Sequence, residues 1–395
     1  MIAFCKKKKV AFISSYLPRQ CGIATFTSDL INNTKLAGGM GFEPHVFAMQ
    51  SGTHLEYDNT VKFKIHKNAK HDYISAAKHI NSSDIDLVSV QHEFGLFGGD
   101  GGSYLGHLLK RLRKPVITTL HTILEEPPKA YSDSLTDVCK TSDKLIVMNK
   151  RGIRILSQIY GVAEEKIVLI PHGIPDLPFA DSRYYKRKLG MLGRKTILTF
   201  GLLSRNKGIE VMLRALPTIV KTDPSILYIV LGATHPEVVR HEGQDYKFQL
   251  EKMVLDLGLQ KNVVFYNSFV SNEELFQFLG AADIYVTPYL HREQLTSGTL
   301  AFAVGAGKAV VSTPYWAAEE LLAQDRGKLV SFGDSKHLAH SILEILSDDL
   351  LLLRIRKRAY EYGRSMTWPK VGQVYRDLFE AVSPSLPVIL RPTVR

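Results

Sequence analysis

Short apolar runs, rich in β-branched and aromatic residues, alternate along this chain with stretches whose apolar positions recur every three or four residues. The runs at 10–14, 45–49, 61–65, 87–90, 115–120, 144–148 and 166–170 predict buried strands. Helical spacing predicts helices from 23 onward, over 103–112 and over 150–160. A second series follows, with strands at 195–200, 226–231, 262–265, 283–288, 308–312 and 328–330. Its helices are expected over 271–279 (Ser271 as N-cap, Glu274 completing a capping box), 300–306 and 335–346, with another opened by Thr313-Pro314. Such alternation implies an α/β fold of parallel, doubly wound sheets. Between the two series lies a turn-rich break at 171–176, followed by a polar, basic stretch at 177–188. The expected division is 1–175, 176–366, a last helix over 367–382 and a Pro-interrupted tail over 383–395.

Composition narrows the class. A chain of 395 residues with 45% apolar and 23% charged residues suffices for two ordinary cores. The net charge of +11 is spread over both halves. A diffuse positive surface suits anionic small molecules or lipid headgroups, and it lacks the aromatic-basic motif of a nucleic-acid binder. Three cysteines without metal spacing or disulfide density point to a reducing cytosol. No apolar run reaches the length of a membrane span.

Strand ends collect the polar residues. The 87–90 strand delivers Gln91, His92 and Glu93, then a Gly-rich segment that reads equally as a flexible turn feeding the next helix or a mobile loop beside a ligand. The 115–120 strand ends in His121, at the edge where open α/β sheets bind ligands. Gly22 stands where the first strand hands over to a helix. In the second half, Arg205 and Lys207 sit between a strand and a helix, as an anion clamp or as solvated loop charges. The most informative stretch is 283–322. Its strand is followed by Glu293 and Gln294, then by Thr296, Ser297, Gly298 and Thr299 ahead of the apolar run from Leu300. Small side chains and free N–H groups at that handover suit a phosphate.

Taken together, these stretches resemble the retaining glycosyltransferases of family 4. The carriers are the glycine loop at 18–25, TTLH ending at His121, IPHGIP around His172, FGLLSRNKGIE, AADIYVTPY and SGTLAFAVGAGKAVVSTPYWAAEELL. The resemblance implies the GT-B fold, two Rossmann-like domains facing across a cleft, with the last helix returning to the first. It implies a nucleotide-diphospho-sugar donor on the second domain, and a glycan, lipid or small-molecule acceptor on the first. It also implies no catalytic metal or other cofactor. The cysteine usage points to a cytoplasmic enzyme, and the positive surface adds peripheral contact with an anionic membrane as an expected partner. Carried over by position, Gly22 belongs to the N-domain glycine loop, His121 meets the donor sugar and Lys207 the diphosphate. Ser297, Gly298, Thr299 and Leu300 offer backbone amides to donor and phosphate. Glu293 and Gln294 fall where the sugar hydroxyls are bound, and Glu93, His92 and His172 are acceptor or cleft candidates. Two departures stand out. The family's usual arginine before the lysine is Leu202 here, leaving Arg205 to carry its charge. The paired carboxylates fall on Gln294 and Phe302, with Glu293 one residue out of register.

Three functions compete. One is a retaining hexosyltransferase, with His121 and Glu293 closest to the chemistry. Another is a sugar phosphorylase or nucleotide-sugar epimerase on the same fold. The third is a binding protein without turnover, argued for by the missing carboxylate and against by the retained Lys207, Arg205 and His121.

Overall fold

The computed structural model describes residues 7–36, 42–52, 55–234 and 245–383. The chain forms two compact units. One takes the chain up to Met148, Gly152–Ile170 and the segment from Pro369; the other takes Asn149–Arg151 and Pro171–Trp368. The first division thus falls after Ile170, a few residues ahead of the expected 175, because Ile174 already pairs with Thr367 inside the second unit. Residues 384–395 of the expected tail lie outside the described residues.

The first unit holds seven parallel strands: β1 (Lys9–Ser14), β2 (Glu43–Gln50), β3 (Val61–His66), β4 (Leu87–His92), β5 (Val116–Leu120), β6 (Lys144–Val147) and β7 (Ile167–Leu169). Their order is β3-β2-β1-β4-β5-β6-β7. β1 is fully covered on both faces, which its unbroken apolar run requires of a central parallel strand. The winding reverses beside β1, so the carboxyl ends of β1 and β4 frame the crevice of this sheet. The helix Trp368–Val382 closes the unit: Phe379 packs edge-on against Phe12 and Phe42, and the Tyr375 hydroxyl lies 3.0 Å from Thr119 Oγ1.

The second unit holds six parallel strands: β8 (Lys195–Phe200), β9 (Ile226–Leu231), β10 (Val263–Tyr266), β11 (Ile284–Thr287), β12 (Ala309–Ser312) and β13 (Lys328–Leu329). Their order is β10-β9-β8-β11-β12-β13, so the winding reverses between β8 and β11. Ser271 and Glu274 do form the expected capping box.

Three local expectations change. The segment after β4 is no mobile loop: two 3₁₀ turns, Phe94–Leu96 and Asp100–Gly102, are packed in place. A β-carbon on Gly98 would come to 2.0 Å from the Lys67 carbonyl, so the backbone itself is the packing surface there. The helix expected over 103–112 shortens to Leu105–Leu109. Pro314 opens no helix either. The helix begins at Trp316, because Trp316 and Ala317 N–H donate to the carbonyls of Arg292 and Gln294. Among the described residues no helix is long and apolar enough to cross a membrane.

Candidate functional site

In the second unit, two loops rise from the strands that flank the reversal. The loop after β8 tightens into a 3₁₀ turn, Arg205–Lys207, and enters the helix Ile209–Thr222 through Gly208 at φ 63°. Only glycine fits at 208, since a β-carbon would sit 2.0 Å from the Pro288 carbonyl oxygen. The two loops are stitched by Asn206. Its side-chain oxygen accepts from the N–H of Leu290 and His291 at 3.2 and 2.9 Å, and its backbone carbonyl also accepts from Leu290 at 3.0 Å.

The close approach brings Lys207 to the β11 loop. Its ammonium donates to the Tyr289 hydroxyl at 2.5 Å and lies 4.1 Å from the centre of that ring. The Tyr289 hydroxyl lies 3.1 Å from Thr299 Oγ1, and Thr299 Oγ1 lies 3.3 Å from Ser297 Oγ. Ser297 is the N-cap of the helix Gly298–Gly305, accepting the Leu300 N–H at 3.3 Å. Beneath them Tyr315 stacks on Tyr289 at 4.9 Å and donates to Ser297 Oγ at 3.5 Å. Burial and the neighbouring Tyr289 hold the Tyr315 phenol far above its ordinary range, so it stays a donor. A cation and a helix N-terminus therefore meet on one hydroxyl network, the arrangement that receives an anion.

His172 joins this edge. A β-carbon on Gly298 would lie 2.9 Å from its Nε2, and its Nδ1 donates to the Gly173 carbonyl at 2.7 Å. Burial lowers its pKa to about 4, so the ring is neutral at physiological pH. Phe302, in the register of a carboxylate, presents its ring to His172 at 6.0 Å. Gln294 is half-buried and its amide donates to the Thr296 carbonyl at 3.2 Å, while Glu293 is exposed. Arg205 turns elsewhere: its guanidinium donates to Gln249 at 3.2 Å and covers the Tyr246 ring at 5.1 Å. The helix Asp245–Asp256 thus offers Arg205 an aromatic face and an amide beside the loop it shares with Lys207. Glu320 accepts from the Lys150 backbone N–H at 2.9 Å within this unit.

In the first unit, the ends of β1, β4 and β5 gather different chemistry. Gly22 opens the helix Gly22–Leu36 and is exposed, with nothing within 4 Å of the place a β-carbon would occupy. His121 Nε2 lies 3.0 Å from Gln91 Oε1, and Phe26 meets the imidazole edge-on at 4.9 Å. Glu93 accepts from Thr122 Oγ1 at 2.6 Å. Burial pushes its carboxyl above the usual range, against hydrogen bonds from Thr122 and the N–H groups of Phe94 and Gly95. His92 is a correction. As the last residue of β4 it is 0% exposed, between Phe94 and Phe97, and burial lowers its pKa to about 4. It is a core side chain rather than an acceptor or cleft group.

Sequence reasoning missed Tyr289 and Asn206. A tyrosine after a buried strand reads as core, and only its hydroxyl's meeting with a lysine 82 positions away reveals another part for it. Among the described residues no cluster of histidine, cysteine or carboxylate side chains is disposed to hold a metal ion.

Known proteins share both units. Residues 22–176 match Glycosyltransferase Family 4, and residues 182–366 match Glycosyl transferases group 1. A phosphatidyl-myo-inositol mannosyltransferase from Mycolicibacterium smegmatis is 28% identical over 55% of this chain; the match spans about half of that relative, 52% of its length. An alpha-monoglucosyldiacylglycerol synthase from Streptococcus pneumoniae is 24% identical over 93% of this chain and 85% of its own. Among solved structures, Anabaena HepE in complex with UDP and glucose is 17% identical, with a TM-score of 0.72 over 95% of this chain and all of that one.

Proposed function

From the premise that this chain belongs to the family 4 glycosyltransferases and is a hexosyltransferase of GT-B fold, we propose that its donor is a nucleotide-diphospho-sugar and that the anomeric configuration is retained. The observation that carries this is the meeting of Lys207 with the N-terminus of Gly298–Gly305 on the Tyr289–Thr299–Ser297 hydroxyls. In the transfer, the bond from the anomeric carbon to the phosphate oxygen breaks and its electron pair leaves with the diphosphate. Lys207 and the helix amides stabilise the negative charge that develops there. The acceptor hydroxyl attacks from the same face, and its proton passes to the departing phosphate oxygen. Positive charge from the protein serves the leaving group, so the reaction is proposed to be metal-independent.

Glu93 and His121 are proposed to meet sugar hydroxyls, and Glu293 or Gln294 to bind the donor sugar rather than act as a base. The names of the two relatives above support a lipid or other polyol acceptor, and the net charge of +11 supports peripheral contact with an anionic, cytoplasm-facing membrane surface. The test offers a panel of nucleotide sugars with and without acceptor and follows nucleoside diphosphate release. Proton NMR of the first-formed product then reads its anomer. Release that requires inorganic phosphate would make the protein a phosphorylase, and a changed donor without release an epimerase. An inverted product together with an inactive Glu93→Gln variant would make Glu93 a base.

A further inference from the structure

Among the described residues, what meets the Lys207 ammonium is a phenol rather than a carboxylate. Tyr289 is 0% exposed, yet its hydroxyl reaches the Lys207 ammonium at 2.5 Å and Thr299 Oγ1 at 3.1 Å. The same ammonium lies 4.1 Å from the centre of the Tyr289 ring, on the hydroxyl side, and that ring stacks on Tyr315 with planes 15° apart. Its backbone carbonyl accepts from Thr313 Oγ1 at 2.7 Å, so both ends of the residue are fixed. Hydrogen-bond polarity orders the contacts. An ammonium has donors alone, so Lys207 must donate into the Tyr289 oxygen, and the phenolic proton is left for Thr299. A flexible four-carbon stem is thereby held at one place beside the second residue of the helix Gly298–Gly305.

We propose that Tyr289 is a positioning residue that holds the Lys207 ammonium in register with the N-terminus of Gly298–Gly305, so that both act on one phosphate group. The inference rests on the reading of this edge as the donor diphosphate site. A phenol suits the task. It accepts a hydrogen bond from lysine without cancelling the charge, as a carboxylate would.

The test compares wild type with Lys207→Ala, Tyr289→Phe and the double variant. Titration calorimetry with UDP, GDP and inorganic pyrophosphate is followed by kcat and KM with whichever nucleotide sugar turns over. Tyr289→Phe keeps the ring, the stack on Tyr315 and the fold, and removes the hydroxyl alone. The expected result is about a tenfold loss of affinity for pyrophosphate and for the nucleoside diphosphate alike, with kcat/KM reduced by a similar factor. The double variant is expected to be no worse than Lys207→Ala, within about twofold, because the hydroxyl works through the lysine. Full multiplicative loss in the double variant would overturn the proposal, as would Tyr289→Phe with unchanged affinity and rate. If Lys207→Ala itself binds pyrophosphate and UDP like wild type, the diphosphate reading of this edge fails, and the role of Tyr289 with it. Circular dichroism melts of the four proteins separate a collapsed site from a detuned one.

Discussion

The two sheets end in opposite chemistry. The edge of the first unit presents an imidazole hydrogen-bonded to an amide, and a carboxyl that burial keeps above its usual pKa range, backed by a phenylalanine. The edge of the second presents an ammonium, a capped helix N-terminus and a set of hydroxyls. Both arise at the same topological place, the reversal of a doubly wound sheet. Topology therefore sets the ligand-facing edge of each sheet, and the loop residues set the chemistry of that edge. Imidazole, amide and carboxyl groups suit sugar hydroxyls, whereas a cation with helix amides suits phosphate.

The largest effect expected from breaking this contrast is at Lys207. Lys207→Ala should lower kcat/KM by roughly 10²-fold or more, as for loss of a group that meets developing charge. Steady-state kinetics on protein with an unchanged melting temperature checks it. At the first edge, His121→Ala should cost about tenfold in kcat/KM, the scale of one hydrogen bond to a sugar hydroxyl. A normal rate in the folded fraction with a lowered melting point would return His121 to the core. Neither rate should respond to EDTA, since the charge on the diphosphate is met by protein groups; a loss restored by a divalent cation would break the proposal of metal independence.

Smaller effects read the buried titratable groups, again one in each unit. His92 has a folded pKa near 4 against an ordinary 6.5. Between those values the unfolded chain binds more protons, so stability falls as pH drops from about 6.5 toward 4 and is untouched above. His92→Leu should flatten part of that limb in urea titrations. In the second unit, Lys308 donates to the carbonyls of Gly280 and Ala282 at 3.0 and 3.1 Å. Burial first, then Arg356 and Lys186, lower its pKa to about 7, with Asp283 opposing. Its contribution makes stability rise with pH from about 7 toward 10.5. Lys308→Met should remove that slope.

Much of this architecture was legible in the chain. β9 begins and ends where its apolar run does, because a strand buried on both faces reads as a continuous apolar stretch. β8 keeps the expected bounds with its buried threonines hydrogen-bonded. The Ser297 cap was legible from a small hydroxyl ahead of an apolar run. The helices Lys70–Ser82 and Lys129–Thr141 were not, since polar residues dominate them and packing rather than pattern makes them helical. His92 misled because a histidine at a strand end looks the same in sequence whether the strand stops before it or carries it into the core. The contacts of Arg205 with Tyr246 and Gln249 were not legible either, because that helix begins 40 residues downstream, at Asp245.

Asn206 has a thermodynamic consequence. Three hydrogen bonds tie the loop after β8 to the loop after β11 before any ligand arrives. The entropy of ordering Leu290 and His291 is thus lost during folding, and little is left to lose on association. Nucleotide binding at this edge should carry a small entropic penalty, with its heat capacity change set by the apolar area covered rather than by loop ordering.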